Sequence, residues 1–112
     1  ILRGDSLDRL CAETQSMVRR AVDAFVNGDK EMARSVIRDD EGVNGVYGEI
    51  YRDLVRLMMA DPLCIERATH LIIVIKNWER IADQATNIAE EVLFILEGVN
   101  VKHPHLQQPS ES

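Results

Sequence analysis

The chain has 112 residues, 46% hydrophobic and 29% charged, with 13 Lys+Arg against 19 Asp+Glu and a formal charge of −6. That length suits one domain able to remove roughly two-thirds of its unfolded surface from water, and the apolar content argues against disorder. The acidic balance argues against nucleic acid, which is held by many Lys and Arg contacts to phosphate, and against attraction to anionic lipid.

The longest wholly apolar run, Leu71 to Ile75, ends at Lys76, far short of the about 20 residues of a spanning helix. No signal peptide is visible, and because the first residue is Ile1 rather than Met the chain is expected to be trimmed or cut from something longer. Cys11 and Cys64 each sit among apolar residues. They read as reduced core cysteines, which points to the cytoplasm.

The periodicity is helical from end to end. Asp5 and Ser6 are N-cap types, and Leu7, Leu10, Cys11, Met17, Val18, Ala21, Ala24 and Phe25 form one three-four stripe along a first helix. Asn27-Gly28 ends it. Asp29 caps a short second segment with Met32, Ala33, Val36 and Ile37 inside, and Asp39-Asp40-Glu41-Gly42 interrupts the pattern. A new helix then carries Val43, Val46, Tyr47, Ile50, Leu54, Leu57 and Met58 on one face. Asp61-Pro62 is the clearest punctuation, an N-cap residue followed by proline at the first helical position. From there Ala68, Leu71, Val74, Ile75, Trp78, Ala82, Ala85, Ala89, Val92 and Leu96 run to Gly98, a rod of roughly 50 Å at 1.5 Å per residue. The expected fold is all-α: an antiparallel three-helix bundle over residues 1–103, with a short extra helix between the first and second long helices. Residues 104–112, with Pro104 and Pro109, read as a flexible tail.

On a helical wheel Glu79, Asp83, Asn87 and Glu90 fall within roughly an 80° arc. Like charges at i,i+4, as in Glu79 and Asp83, cost about 0.2–0.5 kcal/mol, a cost that a hard cation or iron would reverse. The alternative is a solvated face partly neutralised by Lys76 and Arg80. If the hairpin turns at Asp61, antiparallel packing sets Asp40 and Asn44 level with residues near 82 and 78, beside Glu79 and Asp83. Two oxygen-rich pairs would then share one height. Asn87 is either a ligand or a polar neighbour, and His70 reads as a packed histidine. Arg80, beside the strip, is a candidate contact for a partner.

The run Glu79-Arg80-Ile81-Ala82-Asp83-Gln84-Ala85-Thr86-Asn87-Ile88-Ala89-Glu90-Glu91 resembles the signature of the PhoU family of phosphate-signalling proteins. Ala24-Phe25 with Asp29, then Ala33, Val36 and Asp40, then Val43-Asn44 with Tyr47, then Asp61-Pro62, match the same pattern, and Gly98, Val101 and His103 close it. The resemblance spans residues 17 to 103 and is closest to the second of the family's two tandem bundles. It implies a cytoplasmic negative regulator of phosphate uptake that couples a phosphate-specific ABC transporter ATPase to a sensor histidine kinase. It also implies iron, manganese or zinc held by acid-x-x-x-Asp motifs on two adjacent helices. Glu79-x3-Asp83 fits one motif, and Asp40-x3-Asn44 fits the other except for Asn44, whose amide oxygen can ligate but brings no charge.

No Glu-x-x-His pair of the di-iron bundles and no Ser/His/Asp or Cys/His set occurs, so a non-catalytic protein is expected. The rival readings are a helical dimerisation module and a carboxylate-bridged metal-binding protein without a phosphate role. Apolar residues on the outer half of the last helix, Ile88, Val92, Phe94 and Ile95, overshoot its shorter partners and lead us to expect a homodimer.

Overall fold

A computed structural model of the chain describes residues 4–98. It contains three α-helices: α1 (Gly4–Asn27), α2 (Lys30–Ala60) and α3 (Ile65–Glu97), with a 3-10 turn at Pro62–Cys64 between the last two. Each helix packs against both others, which makes the expected three-helix bundle; among the described residues there is no strand. No helix among them is long and apolar enough to cross a membrane. Residues 99–103 and the 104–112 segment read as a tail, with His103 and His105, lie outside the described residues.

Local chemistry explains the boundaries. Gly28 and Gly98 adopt φ of 65° and 70°, the left-handed conformation that ends a helix at least cost in glycine. The Asp29 carboxylate accepts the Met32 N–H at 3.1 Å and caps α2, and Asp61 accepts the Leu63 N–H at 3.1 Å to start the turn. Asp5 and Ser6, expected as caps, instead lie inside α1, which already includes Gly4.

One expectation fails: there is no short extra helix between the first and second long helices. Lys30–Ala60 is a single helix of 31 residues that runs straight through Asp39-Asp40-Glu41-Gly42. Val36, Val43 and Ile50 are each fully buried at intervals of seven, so one apolar stripe crosses the acidic patch without a break. Burial of that stripe outweighs the about 1 kcal/mol that Gly42 costs a helix interior. At about 46 Å, α2 nearly equals α3 in length, so α3 overshoots α1 only.

The core is aliphatic and alanine-rich: Leu10, Met17, Ile50, Leu54 and Ile75 are fully buried around Ala21, Ala33, Ala82, Ala85 and Ala89. Phe25, placed on the inner stripe by its spacing, is 64% exposed, and Val74 and Leu96 are also on the surface. Val92, placed by its spacing on the inner stripe and also counted in the expected apolar overhang, is buried as the stripe requires, and Leu93 joins it. His70 is exposed rather than packed, and both cysteines are free and half-buried rather than fully enclosed. The one buried polar side chain among the described residues is Thr14, whose Oγ1 finds no hydrogen-bond partner.

Candidate functional site

Of the sequence-predicted acids, Asp40 and Asp83 become neighbours across the α2–α3 interface, at a register one turn away from the expected one. The Thr86 hydroxyl lies 3.2 Å from Asp40 Oδ1, and near the hairpin end Thr69 Oγ1 lies 4.0 Å from Met58 Sδ. The two contacts have their midpoints at residue 63 and between residues 63 and 64, inside the 3-10 turn, and not at Asp61. Insertion of that turn moves every α3 residue by about four positions relative to α2. Asp40 therefore lies level with Thr86, and Glu79 lies level with Tyr47 and not with Asn44.

Electrostatics report the same neighbours. Loss of water on its inner flank and the carboxylate of Asp40 raise the Asp83 carboxyl above its ordinary range, although Asp83 stands on the exposed edge of α3. Burial first, then Glu79 and Tyr51, push the Tyr47 phenol up, and the Tyr47 and Tyr51 rings stack with centroids 6.2 Å apart. Asp40, Glu79, Asn87 and Glu90 are half-buried, while Asn44 and Arg80 are exposed. The structure thus brings Asp40 to Asp83 and Glu79 to Tyr47, and leaves Asn44 on the outer surface.

Thr86 was missed by sequence reasoning. Its hydroxyl also lies 3.1 Å from the carbonyl of Ala82, so one proton is shared between a helix carbonyl and the Asp40 carboxylate. Its position seven residues after Glu79 and three after Asp83 put it on the side of the acidic strip nearest α2, a signal that the wheel contained.

Two carboxylates held close enough to raise one of them, with a hydroxyl beside them, are hard oxygen donors suited in chemistry to a divalent cation. Among the described residues no three His, Cys, Asp or Glu side chains converge into a metal cage. Asp40 and Asp83 would therefore cover part of a coordination sphere and leave the rest to water.

Comparison with known proteins supports the sequence resemblance. The PhoU domain model matches residues 7–92. A phosphate-specific transport system accessory protein PhoU homolog from Pseudomonas aeruginosa is 39% identical over 100 residues, which cover 89% of this chain and 41% of that protein. The protein of the same description from Caulobacter vibrioides is 42% identical over 93 residues, covering 83% of this chain and 40% of the relative. That from Zymomonas mobilis is 43% identical over 82 residues, covering 73% and 35%. The chain spans about two-fifths of the length of the curated relatives it matches. No solved structure matches at a significant level.

Proposed function

Since the chain belongs to the PhoU domain family, we propose that it is a non-catalytic regulator of phosphate uptake. In this reading it works in the cytoplasm as an adaptor between a phosphate ABC transporter ATPase and a sensor histidine kinase, with Arg80 among the residues that meet a partner. The observation that carries the reading is the family match over residues 7–92, together with relatives described as accessory to phosphate-specific transport.

The reading includes a cation, iron, manganese or zinc, between α2 and α3. Asp40 and Asp83 would hold it, with Glu79 half-buried one turn away, Asn44 contributing from the exposed side of α2, and Asn87 and Glu90 contributing less directly. The mutual repulsion of Asp40 and Asp83 supports this, because it is the cost that a bound cation would convert into a gain. When bound, the ion would supply positive charge that fixes α2 against α3. The residues' own part is to hold that surface: the Thr86 hydroxyl orients the Asp40 carboxylate, and Tyr47 stands beside Glu79. The reading also includes pairing of two copies through apolar surface on α3.

The test is regulation in a cell. In a bacterium lacking its own accessory protein, this chain should restore repression of a phosphate-starvation reporter in phosphate-replete medium and co-purify with the transporter ATPase. Failure of both, with the chain expressed and helical, would refute the adaptor role.

A further inference from the structure

The flank of α2 turned away from the acid pair carries a second polar cluster. Between α1 and α2 lies an open groove of about 440 Å³, with Ser16, Arg20 and Asp39 among its walls. The Arg20 guanidinium reaches across it from α1 to α2. Its Nε donates to Ser16 Oγ at 3.1 Å on its own helix, its Nη1 donates to Ser35 Oγ at 2.8 Å, and its Nη2 pairs with Asp39 Oδ2 at 3.0 Å. Ser35 gives its own proton to the carbonyl of Met32 at 2.7 Å, so its oxygen faces Arg20 as an acceptor. The Arg20 side chain is only 25% exposed. All three nitrogens of the guanidinium are engaged, and its planar fork holds Ser35 and Asp39 at a fixed spacing.

Ser35 and Asp39 stand one turn apart on the flank of α2 that faces α1. Asp40, the next residue, stands about 100° further round the helix. It lies on the flank that faces α3, where the Thr86 hydroxyl donates to its Oδ1 at 3.2 Å. Two fixed points on one flank set the rotation of a helix about its own axis. A carboxylate stands about 6 Å from that axis, so a turn of about 20° carries it roughly 2 Å. That is enough to break the Thr86 contact, because hydrogen bonds fade quickly beyond their normal length. Packing opposes such a turn only weakly at this level. The groove beside Asp39 is open because two of its wall residues, Ala12 and Gly42, bring no bulk, and a carbon added at Gly42 would meet nothing within 4 Å.

We propose that Arg20 is a positioning residue for the cation site: by holding Ser35 and Asp39 it sets the rotation of α2 that brings Asp40 against Thr86 and Asp83. The inference rests on the cation reading in the proposed function, and adds to it a residue on the far flank of α2 whose hydrogen bonds and ion pair go to neither Asp40 nor Asp83. Charge and position act in opposite directions here. Arg20 is itself a cation, so by Coulomb's law alone its removal would tighten the binding of a metal ion nearby. Loss of the clamp instead frees Asp40 to turn away, and partners that orient metal ligands are typically worth about 10–100-fold in affinity. The sign of the change therefore separates the two.

Calorimetric titration of the metal-stripped 112-residue chain with manganese should show affinity falling about tenfold or more in Arg20→Met. Arg20→Lys, which keeps the charge and loses the fork, should weaken binding as well. Asp39→Asn keeps an oxygen for the Arg20 donor and should stay within about threefold of the wild type, whereas Asp39→Ala should fall well below it. These two lose the same charge, so the difference between them reads geometry alone. A second readout needs no metal. In a background with Cys11→Ala and Cys64→Ala, the pair Asp40→Cys and Thr86→Cys should oxidise to a disulfide within the chain, and Arg20→Met should slow that closure about threefold or more, since the bond demands a specific geometry. Circular dichroism checks that each variant is helical. A cysteine pair that closes at the same rate with and without Arg20→Met overturns the proposal. So does an Arg20→Met variant that binds manganese more tightly than the wild type, because charge and not position then governs the site. A wild type that binds no manganese, iron or zinc refutes the cation reading instead, and the closure rate then scores the role of Arg20 by itself.

Discussion

Asp83→Asn should change the chain's stability in opposite directions with and without metal. Without metal, the wild type carries the Asp40 carboxylate close to Asp83 and Glu79 one helical turn before it. Like charges at i,i+4 cost about 0.2–0.5 kcal/mol. Removing the Asp83 charge should recover an amount of that order, and at about 4–8 °C per kcal/mol for a domain of this size the variant melts roughly 1–4 °C higher. With metal at about 100 times its Kd, the wild type gains about 2.7 kcal/mol by mass action, or roughly 10–20 °C, and the variant gains little. The two melting curves should therefore cross. Circular dichroism melts of metal-stripped protein, with and without added manganese, iron or zinc, read both signs. If both proteins melt alike at every metal concentration, Asp40 and Asp83 form a solvated acidic surface and the cation site is refuted.

Asp83 carries a raised carboxyl, so in the window between the ordinary carboxylate range and its raised value the native state binds more protons than the unfolded one. Stability through this group therefore falls as pH rises, and the melting gap between Asp83→Asn and the metal-free wild type should close on acidification from neutral pH; a gap that widens instead contradicts the assignment. Thr14→Val should stabilise by about 1 kcal/mol, or roughly 4–8 °C in Tm, because the Thr14 hydroxyl is buried without a partner and valine keeps the shape without the desolvation cost. A lower Tm would mean that the hydroxyl is satisfied. Glycine substitutions should separate by backbone conformation. Gly45→Ala, within α2 with nothing within 4 Å of the added carbon, should stabilise by about 0.5–1 kcal/mol. Gly28→Ala, at φ +65°, should destabilise by about 1–2 kcal/mol, and equal shifts for the two in a chemical-denaturation series would refute that reading.

The helices and their ends were legible because their signals are local. Asp29, Gly28, Gly98 and Asp61-Pro62 each act within one turn of chain, and each stands where its chemistry requires. The continuity of α2 was misread because Asp39 to Gly42 is a local signal, whereas the stripe from Val36 to Ile50 that overrides it acts through packing on α1 and α3. The site was legible in composition but not in register. Asp40 on one side and Glu79 and Asp83 on the other were identified, but a 3-10 turn of three residues is invisible to a count that places the bend at Asp61. That small shift exchanged Asn44 for Tyr47 opposite Glu79 and gave Asp40 its Thr86 contact. The exposure of Phe25 has a similar origin: spacing puts it on the stripe, but it lies at the end of α1 on the open groove toward Ile95.

Helix spacing connects the fold to both surfaces. The distance between packed helices is set by the side chains at the contact, about 8–10 Å across the usual range, and α3 presents alanine at 68, 82, 85 and 89 toward the core. Small residues there let α2 approach closely enough for Asp40 to reach the Thr86 hydroxyl and to act on Asp83. Around those alanines α3 is slender on its inner side, where Ile75, Val92 and Leu93 supply the larger buried groups, and a second set of large side chains, Val74, Ile81, Ile88 and Ile95, stands on the outer one. A helix so divided holds an acid pair at short range on one flank and offers an aliphatic seam on another. Enlarging Ala82, beside the acid pair, would therefore separate Asp40 from Asp83 without touching either carboxylate, while the seam, built on the opposite flank, would keep its spacing.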